Sequence, residues 1–166
     1  MQLFFYGTLL DADLRRAILG AAAEQRLVLR PALLPGYRCF RSSHGDYPVL
    51  LRRSGGRVKG ALATGVDRIG LLRIGHFEGE DYAPAQSLVI GADGRRSMAW
   101  IYRASVPEPV ERQTWNLRAW QLRSKTRLLP QVKRWAGGFG ADSLEDSDLR
   151  WHVRRRLRDL ADLSED

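Results

Sequence analysis

Cysteine is nearly missing: Cys39 is the only one among 166 residues. This excludes an intramolecular disulfide and a multi-cysteine zinc site, and it agrees with a reducing compartment. Long hydrophobic runs are lacking too. The longest uncharged apolar stretch, residues 1–10, is far short of the roughly 20 residues a membrane-spanning helix needs, and it has neither the basic leader nor the cleavage site of a signal peptide. The expectation is a soluble, cytoplasmic protein with no membrane partner. Internal repeats, low-complexity tracts and long linkers are absent, as are the glycine and lysine spacing of a P-loop and the three glycines of a dinucleotide fingerprint. Lysine is scarce, with three residues against 24 arginines.

What is present suits a folded enzyme-sized domain. Hydrophobic residues make up 44% and charged residues 28%, with five each of Trp, Tyr and Phe, which excludes wholesale disorder and supplies a core. The length predicts one domain over residues 1–166, with a core over 1–106 and a helical extension over 107–166. The net charge of +8 would attract phosphate backbones without selectivity at low salt. Because the arginines fall in predicted strands, loops and helices alike, no specific nucleic-acid partner is expected.

Leu3-Phe4-Phe5-Tyr6 reads as a short buried strand ended by Gly7, and Asp11 with Leu14 and Ile18 four apart reads as a capped helix closing at Gly20. From Arg26 to Ala63 the pattern is of short β runs, Leu27-Val28-Leu29, Tyr37-Arg38-Cys39-Phe40, Val49-Leu50-Leu51 and 58–63, separated by Pro31, Pro35-Gly36, His44-Gly45-Asp46 and Gly55-Gly56. This is the grammar of a meander or barrel. Residues 66–74 fit helix or strand, 75–84 read as an acidic loop, and Ser87-Leu88-Val89-Ile90 with 98–102 reads as a hairpin. After Pro107-Glu108-Pro109 the period turns helical, with Trp115, Ala119 and Leu122 on one stripe and Leu128, Val132 and Trp135 on another. Ser143 is a candidate cap for a last helix lined by Leu149, Val153, Leu157 and Leu160 and crowded by arginines.

Two segments carry chemistry. In Phe5-Tyr6-Gly7-Thr8-Leu9 a glycine stands where a strand turns toward a helix, so the backbone can approach a ligand and point amide groups at a carboxylate or phosphate. Taken alone, this is an ordinary strand-to-helix turn. In the segment from Ile74 to Tyr82, Glu78, Glu80 and Asp81 crowd with His76 around Gly75 and Gly79. Phe77 and Tyr82 would wall one carboxylate from water and raise its pKa toward that of a general base. As a metal loop, His76, Glu78, Glu80 and Asp81 are the right atom types, but the spacing matches neither the calcium loop nor a helical zinc pair. As a purely structural feature the segment is a solvated acidic turn.

The order of these pieces resembles the gamma-glutamylcyclotransferase-like superfamily. Residues 3–9 are similar to its opening strand and Tyr-Gly-Ser/Thr-Leu loop, Gly36-Tyr37-Arg38 and Tyr47-Pro48-Val49-Leu50 to its middle strands, and Val58-Lys59-Gly60-Ala61-Leu62 to its Val-x-Gly-x-Leu strand. Phe77-Glu78-Gly79 followed by Tyr82 resembles its acidic loop, so the likeness spans about residues 3–103. The resemblance implies an α+β fold, a small mixed β-barrel flanked by helices with a cavity at one mouth. It implies a small gamma-glutamyl substrate, Glu78 as catalytic acid/base, Tyr6, Gly7, Thr8 and Leu9 as the cradle for the gamma-glutamyl moiety, Tyr82 as pocket wall, and no metal or cofactor. The implied reaction is attack of the substrate's α-amino group on its own γ-carbonyl, closing 5-oxoproline and releasing an amine. It does not name the released amine or an oligomeric state.

The sequence departs from the family pattern at Gly75, where aspartate is usual, and at Pro84, near where arginine often follows the tyrosine. The first departure motivates an alternative, a noncatalytic ligand-binding or interaction domain on the same fold. A third reading, a nucleic-acid module, rests on charge alone and lacks the aromatic-basic strand signature of an RNA reader. Cys39 beside Phe40 reads as a small buried hydrophobe, His44 as a solvated loop residue and His152 as a surface residue. The tryptophans at 115, 120 and 135 read as core packing.

Overall fold

The computed structural model describes residues 1–79, 81–137 and 139, and of Trp135 the backbone only. The last helix expected from Ser143 onward, His152 and Glu80 lie outside the described residues. Among the described residues the fold is α+β: a closed five-stranded mixed barrel with one extra strand and five α-helices. Strand β1 (Leu3–Phe5) lies between β3 (Pro48–Thr64) and β5 (Arg96–Ala104), and β4 (Tyr82–Gly91) follows β5. Next comes β2 (Val28–Ser42), whose pairing with β3 closes the ring. The pair β1–β5 is parallel, at Leu3 opposite Trp100, and the other ring pairings are antiparallel.

β1 is apolar throughout because both its faces are covered. Phe4 packs into the barrel interior with Leu34, Leu50, Val89 and Ile101, while Leu3 and Phe5 face the helical layer with Leu14, Ile18, Ile74 and Trp120. A short run without alternation is what a strand buried on both sides requires. Helix α1 (Ala12–Leu19) begins as expected, with the Asp11 carboxylate accepting the Leu14 N–H at 3.0 Å and Leu14 and Ile18 fully buried. Helix α2 (Ala21–Gln25) follows directly.

The expected short β runs are instead two long strands paired over nearly their whole length, with one register shift between Pro35 and Tyr37. Pro31, Pro35-Gly36 and Gly55-Gly56 lie inside strands because the strands bend around a small barrel, where prolines and glycines accommodate irregularity. The 75–84 segment is likewise not one loop. Helix α3 (Arg68–Glu78) runs through Gly70 and Gly75, started by Asp67 accepting the Gly70 N–H at 2.8 Å and ended at Gly79. Gly79 has φ +62°, a conformation that favours glycine. Pro84 sits in β4 opposite Tyr102 in an unbroken register.

A strand precedes the C-terminal helices: β6 (Val110–Thr114) pairs with β2 through Thr114 and Val110. Its sequence is polar and its pairing one-sided, so it offers no alternation to read. Helix α4 (Leu117–Arg123) is capped by Asn116, and α5 (Lys125–Gly137) follows. The expected stripe is not the buried one. Trp115 precedes α4, Trp120 is 1% exposed, and Leu122 is 70% exposed. The two buried tryptophans pack against each other with ring centroids 6.5 Å apart.

The buried Asp11 and the half-buried Asp46 fasten these helices to the rest of the fold. Asp11 accepts from Gln121 Nε2 at 2.8 Å and Lys125 Nζ at 2.7 Å, and Asp46 accepts from Ser124 Oγ, Arg41 and Arg123. Burial alone would raise both carboxyls. Hydrogen bonds from Lys125 and Gln121 hold Asp11 below its ordinary value, and those from Arg123 and Ser124 do the same for Asp46.

Candidate active site

The end of β1 and the last turn of α3 meet at a cavity of about 660 Å³. After Phe5 the chain leaves the strand through Tyr6 and Gly7 and makes a single 3-10 turn, Thr8–Leu10. The cap position, Gly7, supplies no side-chain acceptor, and the leading amides of such a turn have no partner within it. Tyr6, Gly7, Thr8 and Leu9 all line the cavity. The loop is held from behind by the buried Arg15, whose guanidinium donates to the Leu9 carbonyl at 2.9 Å and is paired with Glu24 at 3.1 Å. Gly7 has φ −122°, so a left-handed backbone is not what demands glycine there. A Cβ at this position would collide with Cγ of Pro48.

Glu78 reaches the cavity from the C-terminus of α3, with Phe77 beside it. The residue as a whole is half-buried, and protein surrounds its carboxyl so closely that burial pushes the pKa up to about 8, from an ordinary 4.5. Among the described residues no charged or hydrogen-bonding neighbour offsets that burial. The helix end adds to the effect, since the negative pole of a helix disfavours a second negative charge. Around neutral pH the group is therefore mostly protonated, and it can lose and regain a proton under mild conditions.

Tyrosines surround the carboxyl. The Tyr6 hydroxyl donates to the Tyr102 carbonyl at 2.6 Å, and its pKa is raised by burial first and then by the charge of Glu78 and Tyr82. The Tyr82 hydroxyl donates to the Pro48 carbonyl at 2.8 Å and is raised in the same way, by burial and then by Glu78. Both phenols are thus fixed donors to backbone, and their rings are wall. Tyr47 lies edge-on to Tyr82 at 6.5 Å, and its hydroxyl donates to Glu108 at 2.8 Å.

Every expected site residue, Tyr6, Gly7, Thr8, Leu9, Glu78 and Tyr82, lies on this one cavity. Asp81 lines it as well. His76 does not; its ring packs on Phe139 at 5.5 Å. Among the described residues no group of three or more His, Cys, Asp or Glu is placed to hold a metal ion. Cys39 lies half-buried between the two cores, where burial pushes its thiol up to about 12, far from a reactive thiolate. His44 is exposed, with Nδ1 3.3 Å from Glu108.

Sequence reasoning missed the wall supplied by the C-terminal helices. Trp120, Ser124, Arg127, Leu128 and Gln131 all face the cavity. The last four are spaced 0, 3, 4 and 7, which is one face of a helix, and that spacing was the available signal. Among the described residues no helix is long and apolar enough to cross a membrane.

Comparison with known proteins bears on this arrangement. Residues 3–121 match the family model described as "Gamma-glutamyl cyclotransferase, AIG2-like". Protein AIG2 C of Arabidopsis thaliana is 25% identical over 154 residues, covering 88% of this chain and 89% of that protein. A solution structure of another Arabidopsis thaliana protein superposes with a TM-score of 0.60 at 22% identity, over 82% of this chain and 90% of its own. A structure described as gamma-glutamyl cyclotransferase superposes with a TM-score of 0.54 at 11% identity, over 93% and 98%. The fold is shared with both structures, and the match over residues 3–121 decides kinship: this chain belongs to the gamma-glutamyl cyclotransferase, AIG2-like family.

Proposed function

We propose that this protein is a cyclotransferase that acts on a small gamma-glutamyl amine, amide or peptide, with Glu78 as general acid/base. The observation that carries the reading is a single carboxyl of raised pKa on the cavity that the Tyr6-Gly7-Thr8-Leu9 loop also lines. The substrate's α-ammonium gives a proton to the ionised Glu78 carboxylate, and the freed amine attacks the γ-carbonyl carbon of the same molecule. A carbon–nitrogen bond forms as the lactam closes, the bond to the leaving nitrogen breaks as Glu78 returns its proton to that nitrogen, and the second proton shed by the lactam nitrogen is taken up by the departing amine, which leaves as an ammonium. The products, 5-oxoproline and the released ammonium, together hold all the atoms of the substrate.

The cavity's other parts suit the same chemistry. Free amides of the glycine loop would cradle the substrate's carboxylate or steady the oxyanion that develops on the γ-carbonyl. Tyr82 and Phe77 exclude water and fold the substrate on itself, which brings amine and carbonyl together without a second reactant.

The test is release of 5-oxoproline from a panel of gamma-glutamyl amines, amides and dipeptides by the wild type and by Glu78→Gln. Product from at least one compound, lost in the variant while its fold persists, supports the reading. Absence of product and of thermal shift across the panel overturns it in favour of a noncatalytic domain.

A further inference from the structure

We infer that Arg127, on the cavity face of α5, determines specificity by binding an anionic group on the leaving half of the substrate; the inference rests on the cyclotransferase reading above. The cavity wall contains one basic side chain among the described residues, Arg127. Neighbouring cations are engaged elsewhere: Arg41 and Arg123 on Asp46, and Lys125 on Asp11 and Asp13. No hydrogen bond or ion pair engages Arg127 among the described residues, and its side chain is exposed.

Its place in the helix is also costly. Lys125 and Arg127 both stand in the first turn of α5, which has no acidic residue, and the positive pole of a helix disfavours cations there. Lys125 is compensated by two aspartates 2.7 Å away, whereas Arg127, exposed and on the cavity wall, has no such partner among the described residues. An anion entering the cavity would meet the guanidinium and the helix pole together.

The other charges around the cavity make that anion's position specific. Asp46 is already neutralised by two arginines, Glu78 is mostly protonated near neutral pH, and Asp81, the third carboxyl residue on the cavity, stands next to Tyr82 at the start of β4. The glutamyl half is assigned to the glycine loop and Glu78, both built from β1 and α3. Arg127 belongs to a different wall, built by α5, with Leu128 and Gln131 beside it on the same face. Leu128 offers apolar contact to an aliphatic stem, Gln131 one further amide, and the planar guanidinium matches a carboxylate with two parallel hydrogen bonds. A leaving group that is itself an α-amino acid fits this wall; a plain alkylamine leaves the guanidinium unpaired.

The matched pair gamma-glutamylalanine and gamma-glutamylethylamide tests this, because the leaving groups differ only by the carboxylate. The wild type should prefer the alanine compound by about tenfold or more in kcat/KM, mainly through KM. Arg127→Gln should erase most of that preference while the ethylamide loses far less, and Arg127→Lys should retain part of it. Equal use of both compounds, with no selective effect of Arg127→Gln, overturns the inference and leaves the cyclotransferase reading intact. Equal loss on both compounds in a variant with an unchanged melting temperature would assign Arg127 to the common glutamyl half, which also overturns it. If neither compound turned over, the cyclotransferase reading would fail, and calorimetric titration of both into the wild type and Arg127→Gln would still decide: unchanged affinity for the alanine compound overturns the role of Arg127.

Discussion

At the scale of single residues, the site depends on what each side chain is denied. Glu78 has a raised pKa because burial acts on it with no compensating partner. Asp46, half-buried on the same cavity, is held low because Arg123 and Ser124 hydrogen-bond to it. Two carboxyls on one cavity are thereby separated into one that holds a proton near neutral pH and one that stays an anion. Gly75, one turn before Glu78, is the point where the family pattern has aspartate. It lies inside α3, and a Cβ there would meet the Tyr102 hydroxyl at 3.4 Å and nothing closer. Gly75→Ala should therefore stabilise the protein by about 0.5–1 kcal/mol through helix propensity. Denaturant titration checks this, and a loss of stability would show that the turn bearing Glu78 tolerates no side chain at that position.

At the scale of elements, the cavity has a barrel side and a helical side, and the two were not equally legible. The barrel side carries local signals: the aromatic run ended by Gly7, the Asp11 cap with Leu14 and Ile18, and the hairpin of β4 and β5 about Asp93-Gly94. Each depends on neighbours in sequence, so each can be read without the fold. The glycines of α3 resemble loop punctuation and hide the helix end that positions Glu78. β6 is polar and borrows its order from β2, which only the tertiary structure supplies. The cavity-lining Ser124, just before α5, and Arg127 and Gln131 on it look like a solvated face, because a polar pocket wall and a surface have the same pattern. That wall is attached through Asp46, whose partners Arg123 and Ser124 stand at the junction of α4 and α5. Asp46→Ala should cost about 2 kcal/mol, as expected for hydrogen bonds to a charged group, and should raise KM by loosening α5. Melting curves beside steady-state kinetics measure both, and an unchanged KM in the destabilised variant would separate the clamp from the site.

For the whole molecule, the buried acid links stability to pH. Between 4.5 and about 8 the folded state keeps the Glu78 proton that the unfolded chain has released, so stability falls as pH rises through that window. Asp11 and Asp46 act in the opposite direction. Their folded pKa values are depressed, so their contribution is present above the ordinary carboxylate range and is lost as pH falls below it. The melting temperature should then decline from mildly acidic to mildly alkaline pH, and Glu78→Gln should remove much of that decline while becoming more stable than the wild type at the alkaline end. Identical slopes in the two proteins would mean that Glu78 is not the group responsible. Stability given up in this way is what a carboxyl held for proton transfer costs a fold. The most direct test of that role is the pH dependence of kcat/KM for 5-oxoproline release, measured for the wild type and Glu78→Gln on the same gamma-glutamyl substrate. The account predicts a wild-type rate that climbs through neutral pH as a group of pKa about 8 ionises, and a variant slower by about 100-fold or more. Full activity in folded Glu78→Gln would contradict it.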